Sequence, residues 1–224
     1  MKITISKENY LKAIAEAESE GEAAIAATLA RRLEVSAPAV TMAVKRLRRD
    51  LLIRVGREGQ LTLTPRGREI ANRVRYRHQL IERMLTEVFG MEWYKVHDEA
   101  EQLEHAVSAD FERKLIEKLG VEGTCPHGNR VGMDTPSDRR GRGLAPLEEV
   151  EAGRRARVVS VFERDRKLLE YLDGLGVRPG VMLAVLARNY DDTLNLAVDG
   201  RTVQMGRNAA ARIWVDLIPP KSLW

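Results

Sequence analysis

The sequence predicts a mainly α-helical protein with a small β component: a winged helix-turn-helix, a helical middle and a C-terminal β-barrel. Three observations predict it. Residues 1–64 run helix, helix, helix, hairpin; apolar spacing stays helical over 65–120; period-two alternation takes over after residue 151.

The elements follow in order. Ser6 can cap a first helix in which Tyr10, Leu11, Ile14 and Ala17 recur at helical spacing, with Gly21 ending it. A second short helix is expected over "AAIAATLARRL", residues 23–33, and Glu34-Val35-Ser36 then turns the chain. Ser36 can cap a third helix over 37–51, where Pro38 is tolerated because it sits in the first turn. Alternating apolar residues over 52–64 flank Arg57-Glu58-Gly59, the pattern of a two-stranded wing. In a winged helix-turn-helix the third helix enters the major groove with its N-terminal residues against base edges. Those residues here are Ser36, Pro38, Ala39, Thr41 and Met42, while Lys45, Arg46, Arg48, Arg49 and the wing's Arg57 would meet phosphates.

Thr64 and Pro65 open a long helix reaching about residue 89, with an apolar seam of Tyr76, Leu80, Met84 and Val88. Another helix is expected over 92–106, and Ser108 can cap one more. Such stripes beside a DNA-reading module serve either a homodimer interface or the monomer's own core. The stretch 121–150 is rich in Gly, Pro, Arg and Asp and reads as linker. Five strands and one short helix then make a small barrel, with a tight hairpin at Asp199-Gly200. The expected boundaries are 1–73 for the winged helix, 74–140 for the helical domain, 141–150 for a linker and 151–224 for the barrel.

Composition bounds the function. Charged residues make up 31% of 224 and mean hydropathy is −0.33, with no apolar run long enough to cross a membrane. A cytoplasmic protein is expected, and the single Cys125 excludes an intrachain disulfide framework. Residues 31–58 hold eight Lys or Arg against three acids, whereas 92–122 hold nine acids against four bases. The first segment suits a polyanion, the second cations.

The acidic segment contains "HDEAEQLEH", residues 97–105. At about 100° per residue, His97, Glu101, Glu104 and His105 share one arc of a helix, and Asp98, Glu99 and Gln102 point elsewhere. A solvated acidic face is the competing reading. His78 and Glu82 form an i,i+4 pair on the long helix and could face that arc. Mixed imidazole and carboxylate ligands suit Mn(II) or Fe(II) better than Cu(I). Cys125 falls in the linker stretch, so no thiolate is expected in either cluster.

"LARRLEVSAPAVTMAVKRL", "LTLTPRG", "YRHQLIERML", "HDEAEQLEHAVS" and "CPHGN" together resemble the DtxR/MntR family of metal-dependent repressors. "VVSVF" with "LDGLGVRPGVMLAVL" resembles the SH3-like, FeoA-type domain of its longer members. The resemblance implies an ancillary metal site at His78, Glu82 and His97. It implies a primary site at Glu101, Glu104, His105 and the first-helix position Asn9. Glu101 follows the manganese-responsive type, where iron-responsive members carry Cys, while Asn9 follows neither. A first-helix glutamate of short manganese sensors falls on Lys12, which cannot ligate while protonated. Long members also lend ligands from the SH3-like domain; Glu163 or Asp165 could serve, with Glu163 preferred.

The implied function is a transcriptional regulator with Mn(II) as corepressor and Fe(II) as the alternative. Its homodimer would bind a palindromic operator on double-stranded DNA, with no catalysis and no membrane. A dinuclear metallohydrolase and a metal-indifferent winged-helix regulator are the competing classes.

Overall fold

The computed structural model describes residues 3–121, 123–130 and 134–219. Residues 131–133 of the expected linker stretch and 220–224 of the expected barrel domain lie outside the described residues. The chain divides into two compact units. One comprises Met1–Ile81, Ala100–Val121 and Val131–Pro136; the other comprises Glu82–Glu99, Glu122–Arg130 and Ser137–Trp224.

In the first unit, α1 (Ile5–Ser19), α2 (Ala26–Arg32) and α3 (Ala37–Arg49) precede a hairpin of β1 (Ile53–Val55) and β2 (Leu61–Leu63). Thr4, not Ser6, caps α1, its side chain accepting from the Lys7 amide, so the helix starts one residue before Ser6. Ser36 caps α3 as expected, accepting from the Ala39 amide. The wing tip is a single 3-10 turn over Arg57–Gly59, closed by left-handed Glu58 and Gly59. Leu11, Ile14, Leu29, Val40, Leu47, Leu52 and Leu61 form one core, so α1, α2, α3 and the wing share a single apolar interior.

α4 (Pro65–Glu87) begins where Thr64 Oγ1 accepts from the Gly67 amide. α5 (Val96–Leu103) is shorter than expected, and Glu104 to Ala106 form a turn beyond its end. α6 (Ala109–Leu119) is capped by Ser108. Of the expected apolar seam, Leu80 is buried on α4, but Val88 lies past the helix end and is exposed.

The second unit holds α7 (Pro136–Gly141, but for its first residue), β3 (Leu144–Pro146), β4 (Arg155–Val161) and α8 (Arg166–Gly174). After these come β5 (Met182–Arg188), β6 (Thr193–Val198), β7 (Arg201–Gly206), α9 (Arg207–Ala210) and β8 (Ile213–Ile218). The strands form an antiparallel sheet in the order β3-β8-β4-β5-β6-β7. Five strands were expected; the sixth is β3, from within the supposed 141–150 linker. Its few residues carry no alternation long enough to register as a strand, and pairing with β8 supplies the structure. Val158, Leu169, Leu172, Val185, Leu196 and Val215 fill the core.

Candidate metal centres

α3 turns Val40, Ala43 and Leu47 inward and leaves Pro38, Ala39, Thr41, Met42, Lys45, Arg46 and Arg49 exposed. Ser36 and Arg57 are exposed as well. All of the residues expected to meet DNA therefore lie on accessible surface of the first unit.

The same unit gathers a charged cluster around a buried lysine. Lys12 Nζ lies 2.7 Å from Glu104 Oε2, 3.6 Å from Glu101 Oε1 and 3.9 Å from Glu16 Oε1. Lys12 Nζ also lies 3.3 Å from His78 Nδ1, which in turn lies 2.7 Å from Glu104 Oε2. Glu104 Oε1 lies 3.3 Å from His105 Nε2, and His105 Nδ1 meets Glu8 Oε2 at 2.9 Å. Lys12 and Glu104 are only 5% and 2% exposed, whereas the Glu101 side chain is 52% exposed.

Burial alone would pull the Lys12 ammonium down, but the Glu16, Glu104 and Glu101 carboxylates hold it above its ordinary value. Burial would push Glu104 up, but the hydrogen bond with His78 and the charge of Lys12 hold it below the usual range. Asn9 Oδ1, on the same helix, is buried and has no hydrogen-bond partner among the described residues. A buried acceptor left in that state costs stability, and a cation would satisfy it. Glu8, Glu104 and His105 bring oxygen and nitrogen donors together, and such donors would fit a hard divalent ion.

A second cluster lies in the second unit. His97 Nδ1 lies 3.1 Å from Glu82 Oε1, and His127 Nδ1 lies 3.4 Å from the same oxygen. Cys125 Sγ is 3.4 Å from Glu163 Oε2 and 3.8 Å from His127 Nδ1. Glu82, Cys125, His127 and Glu163 each offer a ligand atom within 4.8 Å of one another. Asn129 Nδ2 donates to Glu163 Oε2 at 2.5 Å and to the Val161 carbonyl at 3.2 Å, orienting the carboxylate. Asp165 instead caps α8, accepting from the Leu168 amide.

The loop bearing Cys125 and His127 is held against β4. The Val161 amide donates to the His127 carbonyl, and Gly128 donates back to Cys125. Gly128 has φ +80, and a Cβ there would lie 1.9 Å from the Val159 carbonyl oxygen. Only glycine permits that approach. Burial, then the Glu82 and Glu163 charges, push the Cys125 thiol well above its ordinary value.

Residues 2–59 match the description "Iron dependent repressor, N-terminal DNA binding domain". Residues 64–131 match "Iron dependent repressor, metal binding and dimerisation domain", and 145–217 match "FeoA domain". The diphtheria toxin repressor of Corynebacterium glutamicum is 32% identical over 221 residues, covering 94% of this chain and 96% of that protein. This chain belongs to the iron-dependent repressor family. The iron-dependent repressor IdeR of Mycobacterium tuberculosis is 37% identical over 173 residues, 75% of this chain and 73% of its own. A solved structure described as a manganese-dependent transcriptional repressor complex with manganese superposes with a TM-score of 0.83 at 32% identity. It covers 95% of this chain and 100% of the other.

The family is one of DNA-binding, metal-dependent repressors that dimerise through the metal-binding domain, which answers the hydrolase alternative. Among the described residues no helix is long and apolar enough to cross a membrane.

Within this repressor one placement differs from those expected. Cys125, set aside as a linker residue, contributes a sulfur to the second cluster together with His127. Their loop has no helical or strand periodicity to mark it. The available signal was the "CPHG" spacing itself, which places a thiol and an imidazole two residues apart ahead of a glycine turn. Glu8 was also missed, because a single acid in a first turn reads as an ordinary helix start.

Proposed function

We propose that this repressor uses Mn(II) as its corepressor, with Fe(II) as the second reading. It acts in the cytoplasm as a homodimer on palindromic double-stranded DNA. The observation that supports this most is the double role of α1. Tyr10, Leu11 and Ile14 pack into the DNA-reading core, while Lys12 and Glu8 on the same helix reach Glu104 and His105.

A divalent ion bound by that cluster supplies positive charge to a site rich in carboxylates. This chain's residues do the rest. Glu104 and His105 offer a carboxylate and an imidazole from the turn after α5, and Glu8 and Asn9 offer oxygens from α1. Glu101 stands at the exposed edge as a further carboxylate. His78 positions Glu104, and Lys12 keeps the cluster neutral enough to persist without an ion. Anything that fixes α1 fixes α3 through their shared core, and α3 carries the DNA-facing residues. Metal and operator must then strengthen each other's binding by the same factor.

Oxygen and nitrogen donors without sulfur favour Mn(II) at this first centre. The solved structure described as a complex with manganese supports this reading, and the iron-dependent relatives keep Fe(II) as its rival. The group of Glu82, His97, Cys125, His127 and Glu163 is an auxiliary centre in this reading. Its sulfur suits borderline ions such as Zn(II) and Co(II) as well. The deciding experiment is anaerobic operator binding across Mn(II), Fe(II), Co(II) and Zn(II), with metal content determined for each. Strongest activation by Mn(II) is expected; strongest activation by Fe(II) would move the assignment to iron.

A further inference from the structure

The exposed face of α3 has a chemical character that narrows what it can read in DNA. Met42 is 55% exposed and lies opposite the buried Val40, Ala43 and Leu47. At about 100° per residue, Pro38, Ala39, Lys45, Arg46 and Arg49 all project within roughly 60° of it. Met42 is therefore the centre of the face that would meet base edges, and an exposed large apolar side chain at the centre of a basic helix calls for a partner.

The polar groups near it are engaged on the helix itself. Thr41 Oγ1 donates to the Ala37 carbonyl at 3.0 Å, so the side chain's remaining group is a methyl. The Ser36 oxygen is the helix cap, accepting from the Ala39 amide at 3.4 Å. The cations occupy the C-terminal half of α3, at Lys45, Arg46, Arg48 and Arg49. Arg46 lines a small pocket with Thr4, Ser6, Lys7 and Tyr10 of the α1 end. The N-terminal half thus offers Pro38, Ala39, the Thr41 methyl and the Met42 thioether.

In the major groove one base carries an apolar mark: thymine, with its 5-methyl group. We propose that Met42 is a specificity-determining residue that reads thymine 5-methyl groups by apolar contact, one in each operator half-site, with Ala39 and Thr41 beside it. This rests on α3 being the DNA-reading helix and adds what that helix recognises. Phosphate contacts from Lys45 and Arg49 would set affinity without discriminating sequence.

The test uses the full-length protein with Mn(II) and an operator obtained by selection from random duplexes. Each thymine is replaced in turn by deoxyuridine, which removes the methyl and leaves base pairing intact. Met42→Ala is compared with the wild type on every duplex; the position is exposed and alanine favours helix, so the variant folds. At one thymine per half-site, wild-type binding should weaken about fourfold, the contribution of one buried methyl group. Changing both half-sites should weaken it more than tenfold by roughly additive effects. Met42→Ala should bind thymine and uracil duplexes alike at that position. Met42→Gln, whose amide matches adenine, should also lose sensitivity to the methyl. Selected operators with no thymine sensitive to both changes would overturn the proposal while leaving DNA recognition by α3 intact. Selection that recovers no preferred duplex would overturn the DNA-reading role itself, and this proposal with it.

Discussion

Lys12 donates to Glu104 across 92 residues of sequence, Nζ to Oε2 at 2.7 Å, with both side chains buried. The pair joins the helix that packs the DNA-reading core to the turn that follows α5, within one unit. Removing one member of such a pair leaves the other charge buried without its main partner. Lys12→Met should therefore destabilise the metal-free protein by about 3 kcal/mol. Urea denaturation with a chelator present measures this, and an unchanged midpoint would contradict it.

The same pair sets a pH dependence. Glu104 is held below its ordinary value of 4.5, so its contribution to stability is complete above that pH and is lost as pH falls through the folded value. Lys12 is held above 10.5, so its contribution is complete below that pH and is lost as pH rises through its own folded value. Metal-free stability from this pair should thus be flat between the two ordinary values and fall outside them. Glu104→Gln should blunt the acid fall specifically, which denaturation midpoints across pH would reveal.

Cys125 provides a spectroscopic handle on the auxiliary centre. Co(II) bound there should show the near-ultraviolet charge-transfer absorption of a sulfur ligand, and Cys125→Ser should abolish it while Co(II) still binds the first centre. Absorption that persists in Cys125→Ser would remove the sulfur from the centre.

Gly128→Ala tests how that centre is built. The added Cβ would meet the Val159 carbonyl at 1.9 Å, from a backbone conformation that alanine disfavours. The loop must then leave β4, carrying Cys125 and His127 with it. Loss of one bound metal per chain is expected, with little change at the first centre; unchanged stoichiometry would show that the loop tolerates the substitution.

The parts that could be read from sequence were those carried by periodicity and caps. Ser36 and Ser108 do cap their helices, and the Asp199-Gly200 hairpin closes between β6 and β7 with both residues at positive φ. Helical arithmetic brought His97, Glu101, Glu104 and His105 to notice, although α5 ends at Leu103 and the last two sit in the turn beyond it. Helical spacing brought His78 to the same neighbourhood but could not say which partner its ring would face. What escaped was non-local. Cys125 and His127 meet Glu82 and Glu163 only because β4 holds their loop, and β3 is a strand only because β8 pairs with it. Lys12 looked like a defect in a ligand set, and its burial among three carboxylates turns it into the cluster's own cation.

The most direct test of the account is operator affinity of the full-length protein with Mn(II) and with chelator at one fixed salt concentration, repeated for the Glu104→Ala/His105→Ala double variant. Mn(II) should tighten wild-type binding by tenfold or more, on the order of the coupling typical between linked sites, and the double variant should bind weakly whether or not Mn(II) is present. Equal affinity of the wild type with and without Mn(II), or full activation of the double variant, would contradict control of DNA binding by the Glu104–His105 centre.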